Sequence, residues 1–119
     1  MDKLKMKQIV LNYIFRNREV TFVEIERLFE ANEFEYRGNM DQVVSGNTNV
    51  VFWAGWNGEA LDIVLDLERE GRIHREPAPT MLYMMDGKCL ALPLVKSTRI
   101  YKTAHWLPVV YCVGDRPVK

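Results

Sequence analysis

The sequence predicts an α+β fold in which three helices pack on a small antiparallel sheet. Two observations carry that prediction. The stretch Asn57 to Leu94, NGEALDIVLDLEREGRIHREPAPTMLYMMDGKCLALPL, reads as an amphipathic helix, a glycine stop, then two strands joined by a turn. Two shorter stretches of helical periodicity precede it, so helices come first and strands follow.

The first helix is expected from Lys3 to Arg16, because Met6, Ile9, Val10, Tyr13 and Ile14 fall on one apolar stripe. The second begins at Thr21, with Glu24 three residues on, which is the spacing of a capping box. Val20 and Ile25 are placed to form a hydrophobic staple, and Phe22, Ile25, Leu28 and Phe29 form the buried stripe. Asn32 is the expected stop. Phe34-Glu35-Tyr36 alternates like a short strand. Gly38 to Asn49, rich in Gly, Asn, Ser and Asp, predicts a loop. Asn49 to Trp53 is a β-branched and aromatic run, either a short strand or a buried extended segment.

The third helix starts at Asn57 as N-cap and runs to about Glu70, with Ala60, Leu61, Val64, Leu65 and Leu67 facing the core. Gly71 stands where a left-handed cap belongs. Strands are expected over 72–76, 81–85 and 90–95, with Pro77-Ala78-Pro79 as a connection. Asp86-Gly87, between two apolar runs, predicts a hairpin turn. Ile100-Tyr101 and Val109 to Val113 add strands or pack on the helices, and 114–119 are expected to fray.

A length of 119 residues with 48% apolar content suits one domain over 1–119, with a core at 3–95 and a C-terminal extension at 96–119. No apolar run reaches the roughly 20 residues that cross a bilayer. The basic opening MDKLKMKQIVLNYIF spaces its apolar residues with Lys, Gln and Asn, and no small-residue cleavage site follows. The expectation is a cytoplasmic protein with no membrane contact. Cys89 and Cys112 are too few and too isolated for a disulfide framework, and read as reduced thiols.

Net charge is zero but unevenly distributed. Residues 1–20 carry five basic and two acidic groups, and 81–119 carry six and two. The middle is acidic: 21–50 hold two basic and six acidic groups, and 51–80 hold three and six. A basic face therefore requires the two ends to meet in space.

The order of a first helix, a capped second helix, a third ending in LDLEREGRIHRE and a ribbon TMLYMMDGKCLALPL resembles the winged helix-turn-helix superfamily over about residues 3–95. The pattern Leu61, Val64, Leu65, Leu67, followed by Gly71 and Ile73, is its most specific part. Through the run VVFWAGWNGEALDIV with its following IHREP and LPLVK, the whole chain also resembles small uncharacterised proteins of bacterial phages and pathogenicity islands. The resemblance implies a winged-helix-like fold and a small DNA-binding or transcription-regulatory protein of a phage or mobile element. Two departures stand beside it. The exposed face of the third helix, with Glu59, Asp62, Asp66 and Glu68, would be repelled by phosphates, and the second and third helices are separated by about 24 residues. The alternative reading is a protein–protein interaction module on the same fold without DNA binding.

Each reading names its residues. For double-stranded DNA these are Arg72, Arg75, Lys88, Lys96, Arg99 and Lys102, interleaved with Tyr101, His105 and Trp106; Lys88 would stand at the wing tip. Ordinary solvated charge on edge strands accounts for the same residues. For a protein partner, including a homodimer, the residues are Phe52, Trp53 and Trp56, which would otherwise pack the loop onto the core. His74 with Glu76, and Cys89 beside Lys88, are the only pairs with reactive chemistry. No HxH, HxxxH, CxxC, Gly-rich phosphate loop or GxSxG elbow accompanies them, so no metal, no cofactor and no enzymatic activity is expected.

Overall fold

The computed structural model describes residues 1–97 and 100–115. Helix α1 spans Lys3–Asn17, capped by Asp2, whose side chain accepts from the Lys5 amide. Helix α2 spans Phe22–Ala31 and opens with the expected capping box between Thr21 and Glu24. A hairpin follows, β1 (Arg37–Val44) and β2 (Asn47–Trp56), then helix α3 (Gly58–Arg69), capped by the Asn57 side chain on the Ala60 amide. Strand β3 (Ile73–Pro77), helix α4 (Thr80–Asp86) and strands β4 (His105–Trp106) and β5 (Val109–Val113) complete the order.

Among the described residues the architecture is α+β with four helices, one more than the sequence predicts, and two small sheets. One sheet has the order β1-β2-β4, with β2 and β4 parallel. The other is the antiparallel pair β3-β5, extended by a bridge from Val20 to Tyr111. Tyr111 thus exchanges backbone hydrogen bonds with the α1–α2 connection at 2.8 and 3.0 Å.

Three expectations are corrected. The 81–85 stretch coils as α4 instead of extending. Met, Leu and Tyr have adequate helix propensity, no β-branched residue follows Thr80, and Pro79 suits a helix entry. Gly87, at φ 90°, caps that helix and its amide bonds the Tyr83 carbonyl at 2.9 Å. A left-handed glycine serves a hairpin turn and a helix end equally well, which is why Asp86-Gly87 read as the former. The 90–95 stretch forms no strand; Leu94 makes a single bridge to Trp106. Third, most of the loop expected over 38–49 is the edge strand β1 and its turn. Four register shifts interrupt the β1–β2 ladder and residues 37–41 are all exposed, so no period-two alternation marks it. Gly38 there approaches the Asn57 backbone so closely that a Cβ would lie 2.7 Å from the Asn57 Cα. The run 49–53 lies within β2, and 109–113 is β5, as expected of strands. Phe34 to Tyr36 and Tyr101 lie outside strands.

Phe22, the first residue of α2, is the hub of an aromatic core. It stacks on Trp53 at 5.7 Å and meets Trp56 and Tyr111 edge-on at 5.5 and 5.2 Å. Tyr83 of α4 extends the cluster to Trp53 and Trp106 at 5.2 and 5.1 Å. Each buried ring contributes about 1.5–3 kcal/mol by removal from water, and each well-oriented pair about 0.5–1.5 more. The C-terminal segment therefore supplies buried core through Trp106, Val109 and Tyr111.

Candidate functional site

The basic residues assigned to nucleic acid do not form one cluster of free charge. Arg72 lies 3.9 Å from Glu70. Arg75 bridges Glu68 at 2.7 Å, and its guanidinium covers the Phe52 ring at 4.1 Å. Lys88 is not at a wing tip: its ammonium reaches back 2.8 Å to Glu26 and lies 5.6 Å from the Trp53 ring. Lys96 and Lys102 are exposed, and Arg99 lies outside the described residues, as do residues 116–119 of the expected frayed end. The acidic face of α3 is partly neutralised within the molecule, by Lys3 on Asp62, Arg69 on Asp66 and Arg75 on Glu68.

Phe52, Trp53 and Trp56, assigned to a partner surface or else to core packing, point inward and are buried. Burial is stabilised by a polar anchor that sequence reading missed. Glu26, on the inner face of α2, accepts from the indole N–H of both Trp53 and Trp56 at 2.8 Å through one oxygen, and from Lys88 through the other. Its only sequence signal is a carboxylate beside the Ile25 core position.

The exposed apolar surface lies elsewhere. Among the described residues ten large apolar side chains are exposed, and five of them, Met81, Met84, Met85, Leu94 and Ile100, belong to the connection between β3 and β5. Three occupy one side of α4, at i, i+3 and i+4, opposite the buried Tyr83.

A second group gathers on the β3–β5 ribbon. The register sets His74 directly opposite Cys112, and Glu76 follows two residues on, so all three project from one face. Ile73 and Arg75 project from the other, toward the core, α3 and Phe52. His74 Nε2 lies 2.7 Å from Glu76 Oε2, and Nδ1 lies 3.0 Å from the Gly114 carbonyl. One ligand atom from each of His74, Glu76 and Cys112 lies within 4.8 Å of the others. Burial, then the hydrogen bond and charge of Glu76, push the Cys112 thiol up to about 11. The hydrogen bonds from His74 and Cys112 hold the Glu76 carboxyl below its usual value. The group lines a cleft of about 670 Å³ whose other wall is the end of α1 and its connection, Phe15, Arg16, Arg18 and Glu19. His74 and Glu76 were a visible pair in sequence; Cys112 joins them only through strand pairing.

No protein-family model, no curated protein and no solved structure matches the chain. Among the described residues no helix is long and apolar enough to cross a membrane.

Proposed function

We propose that the chain is a winged-helix-type interaction module that docks a protein partner through the α4 methionines. Its connectivity supports the winged-helix half of this reading. A helix, a bridging strand residue (Val20), two helices, then the antiparallel pair β3 and β5 follow in the order of that fold, with the bridge on β5. The β1–β2 hairpin is then an insertion between the second and third helices, and α4 with β4 is an enlarged wing.

The observation that carries the function is what that wing presents. A wing that grips a duplex offers cations to phosphates. This one offers Met81, Met84 and Met85 on an exposed helix, while Lys88 is held by Glu26. Methionine is unbranched and polarizable and adapts to varied apolar surfaces, which suits a protein contact. A seven-residue helix is about 10 Å long. That is too little surface for the roughly 800 Å² per partner of a stable dimer, so the partner is an apolar segment of another protein, bound transiently.

A second reading, duplex DNA, rests on Lys5, Arg16, Arg18, Lys96 and Lys102, which are exposed and have no ion pair among the described residues. One pair of measurements separates the two. A photo-crosslinking amino acid at position 84 should give a discrete protein adduct in cells. The same group at exposed Thr48 should not, and glutamines at 81 and 85 should abolish the adduct. Fluorescence anisotropy with a duplex at low salt should show no binding. Salt-dependent duplex binding that falls on R16A/R18A, with no adduct at position 84, would replace the first reading by the second.

A further inference from the structure

We propose that the outer face of the β3–β5 ribbon is a zinc-type divalent metal site, with His74, Cys112 and Glu76 as its protein ligands. The donor set is one imidazole nitrogen, one sulfur and one carboxylate oxygen, the combination that Zn²⁺ takes in tetrahedral sites. Metal–ligand distances of about 2.0–2.3 Å place tetrahedral ligand atoms about 3.3–3.8 Å apart. The three donors already lie within 4.8 Å of one another, so gathering them round an ion requires donor shifts of only about 1 Å.

The histidine is oriented for this role. The Gly114 carbonyl can only accept, so Nδ1 carries the proton and donates to it. Nε2 is left facing the Glu76 carboxylate. With Nδ1 donating to the Gly114 carbonyl, the Nε2 lone pair and the carboxylate face the same space, which a metal ion would fill. An imidazole fixed by a backbone carbonyl on its far nitrogen is the usual support of a metal-bound histidine. His74 is also sheltered, with a side chain 10% exposed, whereas Glu76 is half exposed and free to swing.

The three ligands leave one position open toward the cleft. Water fills that position, in a cleft that Glu19 also lines. Arg16 and Arg18 line the same space and oppose a bare cation there. They are compatible with an ion whose charge is offset by a thiolate and a carboxylate, and they would favour an anion in the open position. On binding, the sulfur–metal bond forms as the thiol proton leaves to solvent, and no redox partner is needed.

The test uses the full chain, stripped with a chelator, and Zn²⁺ or Co²⁺ alone as the probe. The expected result is one equivalent bound, with a thiolate-to-cobalt charge-transfer band. C112S should remove that band. H74Q and C112S should each weaken binding by at least about 100-fold, beyond the 10–100-fold typical of losing an outer-shell partner. C89S, at the exposed cysteine, should leave both unchanged. Circular dichroism shows that each variant is folded, and wild-type melting temperature should rise with added Zn²⁺. Absence of the cobalt band, binding unchanged in C112S and H74Q, or binding lost equally in C89S would overturn the site. The His74–Glu76 contact would then be the whole of its chemistry.

Discussion

Replacing Glu26 tests most directly how this core holds together. The carboxylate is nearly buried, with a side chain 6% exposed, yet it serves three donors: two indole N–H groups at 2.8 Å and the Lys88 ammonium at 2.8 Å. In Glu26→Ala both indoles lose their acceptor inside the aromatic cluster. Each unsatisfied buried N–H costs about 1–3 kcal/mol. The Lys88 side chain is half exposed and regains water, so its share is small. For two indoles the expected loss is about 2–6 kcal/mol, a large part of the roughly 5–15 kcal/mol that stabilises a typical domain. In Glu26→Gln the amide oxygen still accepts from both indoles, while its NH2 replaces the oxygen that accepted from Lys88; the half-exposed Lys88 turns to water, so the loss is about 1 kcal/mol. Urea unfolding followed by tryptophan fluorescence measures both variants, with equal m-values as the check on two-state comparison. Equal destabilisation by the two substitutions would show that charge, not an acceptor, is what the site needs. A loss below about 1 kcal/mol for the alanine variant would mean the indoles find another partner. Either outcome refutes the account.

Other perturbations probe the fold and the ribbon. Gly38→Ala places a methyl 2.7 Å from the Asn57 Cα and 2.8 Å from the Trp56 carbonyl oxygen, and should cost about 1–3 kcal/mol in the same urea assay; an unchanged midpoint would contradict this close approach. In chelator at pH 7.5, iodoacetamide should modify exposed Cys89 well before Cys112, whose thiol stays protonated to about pH 11; mass spectrometry of timed samples reads the order, and equal rates would contradict the placement of Cys112. Burial, then the Glu24 hydrogen bond, raises Tyr13 to about 12, and burial likewise raises Tyr83 and Tyr111. The folded chain therefore keeps phenol protons that the unfolded chain releases near pH 10. This stabilising contribution is intact below about pH 10 and is lost as pH rises toward 12, so the urea midpoint should fall across that window; a flat midpoint would contradict it.

The features legible in the chain alone are those written in neighbouring residues. Thr21 with Glu24 marks the start of α2, Asn57 and Gly71 bound α3, and the stripes of Met6, Val10 and Ile14 or Leu61, Val64 and Leu67 name their buried faces. Caps and helical periodicity act over three or four positions, so they are legible locally. Tertiary structure decided everything that depends on which strand finds which. The partner of β3 is β5 at the far end of the chain, not the stretch just after it, because 80–86 buries Tyr83 more effectively as a helix wedged between Trp53 and Trp106. The same pairing brings Cys112, near the far end of the chain, to His74 and Glu76. Burial of Glu26 under two tryptophans follows only from the packing of α2 on β2. Strand pairing and polar burial are chosen by the energy of the whole core, and no short window of residues carries that sum.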